Sequence, residues 1–157
     1  MQLTRAADYA VRVMIHLATP SAQSRVSLSA LAEATGAPVS FLSKVMQALT
    51  HAGLMSSQRG QSGGFHITAR GRGATMREVI EAIDGPIYLN VCQMPGRPCR
   101  RKSACPAHGV WAEAQRAMLE VLTSATVAGL AAQSMAASGS GGARLVHAVA
   151  KAPECCC

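Results

Sequence analysis

Two short apolar segments separated by a glycine, followed directly by a glycine-rich hairpin loop, constrain the fold of this chain more than any other feature. Ser27 can cap a first short helix that ends at Gly36, and a second helix is predicted from Ser40 to Gly53. The apolar residues of the second helix recur at helical spacing: Phe41, Leu42, Val45, Met46 and Leu49. Two helices joined by a tight turn form the helix-turn-helix pattern, although an ordinary helical hairpin has the same periodicity.

A predicted β-hairpin follows the second of these helices. Residues 54–59 and 65–68 have strand character, and residues 60–64 between them include three glycines. A hairpin directly after a helix-turn-helix is a wing, so this order favours DNA binding. Arg59 lies at the base of the hairpin, where it could reach a phosphate or a narrow minor groove; a solvated surface charge is the alternative. Four polar residues oppose the apolar stripe of the preceding helix: Ser40, Ser43, Lys44 and Gln47.

Further helices are predicted on both sides of this unit. Thr4 can cap a helix near the start of the sequence, with Ala10, Val13, Met14 and Leu17 directed inward. Thr75 and Glu78 form a capping box at the start of another helix, after the hairpin. Residues 109–133 are predicted as one long alanine-rich helix. Its apolar side consists of Val110, Ala114, Ala117, Val121 and Leu122. This side could form a dimer interface; the alternative is that the helix folds back on its own domain.

Three cysteines and a histidine occupy one proline-containing loop. Their pattern is Cys92-x6-Cys99-x5-Cys105-x2-His108. Thiolates favour iron–sulfur clusters and zinc, and imidazole can replace a thiolate as a ligand. The gaps are wider than the roughly two to four residues usual between paired ligands of structural zinc sites. The spacing therefore favours a cluster over zinc, and zinc over a disulfide switch.

Charge and composition indicate an anionic partner. Lys and Arg total 15 against 8 Asp and Glu, a formal net charge of +7, and nucleic acid is the commonest partner of a small basic protein. Charged residues interrupt any leader-like apolar stretch near the start, and no apolar run approaches the roughly 20 residues of a membrane span. We therefore expect a cytoplasmic protein with no membrane association, in which cysteines stay reduced. No nucleophile–base pair or phosphate-cradling loop indicates an enzyme.

Together these features resemble the Rrf-type (Rrf-two) family of winged-helix regulators. The resemblance covers about residues 1–133 and rests on several short matches: Met1–Thr4, Asp8–Arg12, Ser40–Leu42, Gly53–Leu54, Arg59–Gly60, Gly63–Gly64, Val79–Ile80, Ile83–Gly85 and the three-cysteine loop. It implies a homodimer with crossed long helices, in which each wing flanks a helix in the major groove of a double-stranded operator. Gly60 then joins Arg59 among the expected DNA-contacting residues of the wing.

The resemblance also implies an iron–sulfur cluster held by Cys92, Cys99 and Cys105 with one further ligand. The IscR branch of the family supplies a histidine at the position of His108, and the NsrR branch supplies an aspartate of the partner subunit at the position of Asp8. An imidazole from the same chain favours His108. The first cysteine gap is one residue longer than is common in those branches, which leaves the cluster type open between 2Fe–2S and 4Fe–4S; of the two, we favour 2Fe–2S.

We therefore predict a mainly α fold: a winged helix-turn-helix with a small β-hairpin wing and a long C-terminal dimerisation helix. The expected segments are a DNA-binding domain at 1–89, a cluster loop at 90–108, the dimerisation helix at 109–133 and a disordered tail at 134–157. No role is assigned to the last three residues, Cys155, Cys156 and Cys157.

The predicted function is that of a DNA-binding regulator, acting as a repressor, that senses nitric oxide, redox stress or iron–sulfur supply through its cluster. Ser43 replaces a glutamate that the IscR branch uses in operator discrimination, so the operator of that branch is not assumed. Two alternatives stay open. One is a zinc-stabilised or thiol-based winged-helix regulator without a cluster. The other belongs to a different class, an iron–sulfur electron carrier or cluster-transfer protein.

Overall fold

Seven helices and a two-stranded antiparallel hairpin make up the part of the chain that the computed structural model describes, residues 3–20, 25–60, 63–97 and 99–139. In chain order they are α1 (Arg5–Ala18), α2 (Leu28–Thr35), α3 (Val39–His51), β1 (Met55–Gln58), β2 (Gly64–Ile67), α4 (Ala69–Gly73), α5 (Met76–Asp84), α6 (Pro106–Ser124) and α7 (Val127–Gly139), with a short 3₁₀ turn at Val91–Gln93. The predicted fold class, a mainly helical winged helix-turn-helix, is confirmed. Within these ranges no helix is both long and apolar enough to span a bilayer.

Helices α2, α3, α5 and α7 pack around α1, which lies at the centre of the core. Its predicted apolar positions are buried: Ala10, Val13, Met14 and Leu17. The hydroxyls of Thr4 and Ser27 cap α1 and α2 as predicted, each accepting a hydrogen bond of 3.2 Å from the amide three residues further on. Gly36 ends α2 with φ 68°, a left-handed conformation that favours glycine. Helix α3 begins one residue before the predicted Ser40, directly after Pro38.

The wing is joined to the segment that precedes α2. β1 and β2 pair over four residues of each strand, and Val26 pairs with Phe65 on the other side of β2 through N–H···O bonds of 3.0 and 2.9 Å. Gly64 permits this approach, because a Cβ at that position would press against the carbonyl of Val26. The predicted hairpin is therefore correct, but it is held to the chain entering α2 by a contact that the sequence pattern does not predict.

Helix α4, to which the sequence analysis assigns no element, connects the C-terminal ends of α1 and α3. Thr68, predicted as the end of the second strand, instead caps α4 by accepting a hydrogen bond from the Gly71 amide at 3.0 Å. Arg70 donates to the carbonyl of Ala52 at the end of α3 (2.6 Å), and Arg72 donates to the carbonyl of Ala18 at the end of α1 (3.0 Å). Both arginines satisfy carbonyls that a helix leaves unpaired at its C-terminus, where positive charge is favoured.

Helix α5 begins with the predicted capping box and ends on α1. The Thr75 hydroxyl accepts from the Glu78 amide, and the Glu78 carboxylate accepts from the Thr75 amide at 2.8 Å. These hydrogen bonds to Thr75 hold the pKa of Glu78 below its ordinary value. At the other end, the Asp84 carboxylate accepts from the hydroxyl of Thr4 at 2.6 Å and from its amide at 3.1 Å. The N-terminus of α1 is thereby tied to the C-terminus of α5.

The prediction of one continuous helix over residues 109–133 is wrong, because the chain bends at Ala125 and Thr126. The backbone of the bend pairs with the segment that leads into α5. The Met76 amide donates to the Ala125 carbonyl at 2.7 Å, and the Val127 amide donates to the Ala74 carbonyl at 2.9 Å. These two bonds replace helical ones, and their partners lie about 50 residues away in sequence, outside the reach of any local periodicity.

Helix α7 folds back on the winged domain, residues 3–85. The Thr126 hydroxyl caps it by accepting from the Gly129 amide at 3.1 Å, and Val127 and Ala131 are buried against the core. The alternative of a helix packed on its own domain therefore holds for this part of the predicted long helix. Helix α7 continues to Gly139, six residues into the segment predicted as a disordered tail; the remainder of that segment, including Cys155 to Cys157, lies outside the described residues.

Gly71 is expected to be essential for stability, because its Cα lies against the backbone of Leu54. A Cβ at position 71 would overlap the Leu54 carbonyl oxygen, which cannot move without losing the hydrogen bonds that it accepts from the amide and the hydroxyl of Thr68. We expect Gly71→Ala to lower the free energy of unfolding by about 3 kcal/mol, the upper range for overpacking. Gly73→Ala in the same helix is the matched control, because a Cβ there meets no atom within 4 Å. Urea unfolding of both variants tests this, and equal stabilities would contradict the account.

Candidate nucleic-acid interface and cysteine loop

The four polar residues predicted on α3 lie together on one side of the helix, which we call the reading face: Ser40, Ser43, Lys44 and Gln47. Three of them are exposed and Ser43 is half-buried. The opposite side is buried in the core through Leu42, Val45, Met46 and Leu49. Burial of this apolar stripe fixes the rotation of α3, so the reading face is directed outward by the packing of the core.

The wing places a second cationic group on the surface. Arg59 is exposed directly after β1, and Gly60 adopts φ 122°, a conformation that L side chains rarely adopt. Residues 61 and 62 at the predicted tip lie outside the described ranges. Among the ion pairs of the described residues, none involves Lys44 or Arg59. Their charges are therefore not neutralised within this part of the chain.

Arg25 is a candidate DNA-contacting residue that the sequence analysis missed. It is exposed and precedes Val26, which pairs with β2 of the wing. Its position beside the wing depends on a single isolated bridge between residues almost 40 positions apart in sequence, so no local pattern indicates it. The sequence offers only a basic residue before a predicted helix cap.

Asp8, the alternative fourth ligand, is engaged on the outer surface of α1. Its carboxylate pairs with Arg12 one turn later at 2.8 Å, and both side chains are more than half exposed. Arg12 also lies 6.0 Å from the ring centroid of Tyr9, whose ring packs edge-on against Phe41 of α3 at 5.8 Å. Asp8 is therefore open to a second chain, but its described contacts are with its own helix.

The four candidate ligands of the cysteine loop, residues 90–108, are all half-buried. Cys92 lies in the 3₁₀ turn, Cys99 in the following loop, Cys105 at the N-cap position of α6 and His108 in the first turn of that helix. Cys92, Cys99 and His108 line one cavity of about 390 Å³. Cys105 is not among the lining residues. Helix α6 begins at Pro106, earlier than predicted, so the rigid helix carries the histidine.

Gln93 connects two of these candidate ligands. Its side-chain amide nitrogen lies 3.7 Å from the Cys92 sulfur and 3.5 Å from Nδ1 of His108. The loop is also fastened to the middle of α6, because the Leu89 amide donates to the side-chain oxygen of Gln115 at 2.9 Å. The side of the loop that carries Cys92 is thus hydrogen-bonded to α6 at two points.

The types of ligand fit an iron–sulfur cluster, but the described side chains are not gathered closely enough to hold one. Three thiols and an imidazole are the ligands that iron–sulfur sites use, and the cysteines in the described residues are free. No group of three or more His, Cys, Asp or Glu side chains in the described ranges is close enough to hold a metal ion. Four exposed neighbours add positive charge, which favours thiolates: Arg97, Arg100, Arg101 and Lys102.

Helix α6 exposes an apolar stripe and buries none of its residues completely. The stripe consists of Val110, Ala114, Ala117 and Val121; the two valines are 67% and 65% exposed. Leu122, predicted on the same side, is instead half-buried and packs inward with Met118 and Leu119 on α5 and Ile87. The helix therefore contacts its own domain with one side and leaves the other side uncovered.

A winged helix-turn-helix with an outward reading face and unpaired cations on helix and wing defines the class of DNA-binding transcriptional regulators. Comparison with known proteins specifies the group. The model of the Rrf2 family, described as iron-dependent transcriptional regulators, matches residues 3–133. The chain belongs to the Rrf2 family.

Individual relatives agree with this assignment. The transcriptional regulator IscR of Vibrio campbellii is 31% identical over 127 residues, which cover 81% of this chain and 75% of that protein. The structure of CymR, the global cysteine regulator of B. subtilis, matches with a TM-score of 0.68 at 25% identity, covering 85% and 98% of the two chains. The structure of T. potens IscR matches in fold with a TM-score of 0.71 at 24% identity, covering 90% and 94%.

Proposed function

We propose that this protein is a homodimeric, iron–sulfur-dependent repressor. The observation that carries the proposal is the shared cavity of Cys92, Cys99 and His108 at the start of α6, in a chain whose family is described as iron-dependent regulators. The site of a signal would then adjoin the helix that exposes an unpartnered apolar stripe. We expect the protein to act in the cytoplasm, where thiols stay reduced.

The reading face is proposed to enter the major groove of a double-stranded operator. Ser40, Ser43, Lys44 and Gln47 would meet base edges or phosphates, and glutamine suits adenine there. Arg59 and Gly60 of the wing would reach the adjacent minor groove, where a narrow groove attracts arginine. The exposure of all these residues except the half-buried Ser43, and the unpaired charges of Lys44 and Arg59, support this assignment.

Cys92, Cys99, Cys105 and His108 are proposed as the cluster ligands, with 2Fe–2S favoured. His108 is preferred over Asp8 because it lines the same cavity as two of the cysteines, whereas Asp8 is paired with Arg12. The bound cluster would supply reactivity toward oxidants and nitric oxide. The chain's own part would be to close the loop: Cys105 would move toward the cavity, and because it occupies the N-cap position of α6, that movement would also shift the start of the helix.

A second copy of the chain is proposed to cover the α6 stripe. Its residues recur at intervals of four, three and four positions, the spacing at which paired helices meet along a seam. The two alanines in its centre permit close approach, and the valines at its ends supply apolar area. Two winged domains related by a twofold axis would then contact half-sites about 10 bp, or a multiple, apart.

The cluster and the operator would be coupled through α6. Helix α6 follows Cys105 directly at one end and is hydrogen-bonded to the start of α5 at the other, so a change in the cysteine loop shifts the angle between the two winged domains. A coupling of about 1–3 kcal/mol is sufficient for a useful switch. Repression is the expected output, and nitric oxide, redox stress or iron–sulfur supply is the expected signal.

A cluster-free, thiol-based regulator is the second candidate function. The similarity in structure to CymR, titled a global cysteine regulator, and the three free, half-buried thiols favour it. In that case oxidation of cysteines, or a zinc ion, would replace the cluster. An electron carrier is disfavoured, because the chain belongs to a family of transcriptional regulators.

Cys99→Ala is expected to abolish cluster binding while the dimer stays folded, because Cys99 is exposed to the cavity and buries little in the core. Protein purified without oxygen is examined by visible absorbance and native mass spectrometry. The wild type should be brown with a mass excess of iron and sulfide. The control Ser103→Ala, in the same loop, should keep its cluster. Colourless wild type carrying one zinc per chain, after reconstitution, would contradict the cluster; His108→Ala compared with Asp8→Ala identifies the fourth ligand.

Arg59→Ala is expected to weaken operator binding and to lower the salt dependence of log K by about 0.9, the contribution of one phosphate contact. Cluster content should not change. Fluorescence anisotropy at several salt concentrations measures both quantities. Arg116→Ala serves as the control, since it removes the same charge from an exposed position on α6 that is paired with Glu113 and Glu120. Equal effects of the two substitutions would remove Arg59 from the interface.

Ala117→Glu is expected to convert the dimer into monomers, because it places a charge at the centre of the α6 stripe, where desolvation is costly. Sedimentation velocity gives the association state, and circular dichroism checks that the winged domain stays folded. Ala132→Glu makes the same change on an exposed position of α7 and should leave the dimer intact. A dimer that survives Ala117→Glu would show that another surface joins the subunits.

A further inference from the structure

Val39 is an apolar residue that the fold leaves in solvent beside the reading face. It is the first residue of α3 and is 50% exposed. It does not belong to the buried core or to the partly buried residues packed against it. Leu42 and Val45 of the same helix are almost fully buried, so the helix separates its other aliphatic residues from water efficiently.

Phe41, the other exposed apolar residue of α3, has a partner within the chain. Its ring packs edge-on against Tyr9 of α1 at 5.8 Å, so its exposure is incidental to a packing role. Val39 is not among the described residues packed against the buried core, and half of its surface is exposed. Its position therefore calls for a ligand outside the chain or for none at all.

The position of Val39 selects the kind of ligand. Residues spaced by four positions share a face of a helix, so Val39, Ser43 and Gln47 follow one another along the side that bears the reading face. Ser43 is small, so the side chain one turn further along this side is short. Lys44 on the same helix and Arg59 of the wing carry positive charges with no ion-pair partner in the described residues, which favours a polyanion over a protein partner. The N-terminal residues of a recognition helix are those that contact base edges.

An aliphatic side chain at the floor of the major groove can make a favourable apolar contact with only one kind of group on the bases. The C5-methyl of thymine is the apolar substituent that base pairs present there, whereas the remaining base edges carry hydrogen-bond donors and acceptors. Val39 can neither donate nor accept a side-chain hydrogen bond, so cytosine, adenine and guanine edges offer it desolvation without compensation.

We propose that Val39 determines operator specificity by contacting the C5-methyl of one thymine in each half-site. This inference rests on the proposed DNA-binding function and deepens it. Removal of either methyl-bearing partner is expected to weaken binding about fourfold per half-site contact, the factor that corresponds to one buried CH₂-sized group.

The test uses the full-length protein and a duplex enriched by selection from random DNA. Each thymine of the enriched site is replaced in turn by deoxyuridine, which lacks only the methyl group, and dissociation constants are measured by fluorescence anisotropy. The wild type should lose about fourfold at one thymine per half-site. Val39→Ala removes the contact from both half-sites of the homodimer, so it should bind the thymine duplex about 16-fold more weakly, and it should no longer distinguish thymine from deoxyuridine at that position. Val39→Ile should retain the discrimination.

Met135→Ala, an exposed apolar truncation on α7, is the matched control and should discriminate as the wild type does. If the wild type shows no position at which deoxyuridine weakens binding, or if Val39→Ala keeps the discrimination of the wild type, the proposal is overturned while the DNA-binding function stands. If selection enriches no sequence at all, the proposed function fails and this inference fails with it. The deoxyuridine series changes only the DNA, so its result does not depend on the folding of a variant.

Discussion

The backbone pairing between residues 74–76 and 125–127 is the constraint on which the rest of the arrangement depends. Two N–H···O bonds of 2.7 and 2.9 Å fix the point at which α6 ends and α7 returns to the winged domain. Because α7 then packs on α1, the main core is completed within one chain, and α6 packs on the domain with one side only. At its other end α6 directly follows Cys105 of the cysteine loop, and in its middle Gln115 accepts a hydrogen bond from the Leu89 amide. The helix with the uncovered stripe is thereby hydrogen-bonded to the rest of the chain at its middle and at its C-terminal end.

Local signals in the sequence predict much of this fold, and contacts between distant residues account for what they miss. Thr4, Ser27 and the Thr75–Glu78 box identify helix starts because a cap depends only on three or four neighbouring residues. The bend at Ala125 and the short helix α4 depend on partners far away in sequence, namely Met76, Ala52 and Ala18. The alanine-rich stretch 109–133 has an unbroken helical pattern, so periodicity alone joins what the pairing at residue 125 separates.

The candidate site, too, is predicted in part by local signals and depends in part on contacts between distant residues. Which residues of α3 face outward follows from the apolar stripe, since burial of Leu42, Val45 and Met46 fixes the rotation of the helix. The spacing of the cysteines indicates their chemistry but not their positions in space, and it does not predict that Gln93 stands between Cys92 and His108. The role of an arginine likewise depends on its position in the fold. Arg70 and Arg72 donate to carbonyls at helix ends, and Arg77 and Arg116 pair with acidic residues one turn away. The charges of Arg25 and Arg59 are available to a polyanion.

The attachment of α6 at two points has a consequence for how such a chain can diversify. Met118, Leu119 and Leu122 of α6 pack against Ile87 and α5, whereas the described residues of the preceding loop, residues 90–108, include no buried side chain. Insertions, deletions or substitutions within this loop are therefore expected to leave the winged domain folded. If the protein functions as proposed, the same fold would acquire a new signal through changes in this loop, while a new operator would require only substitutions on the reading face of α3.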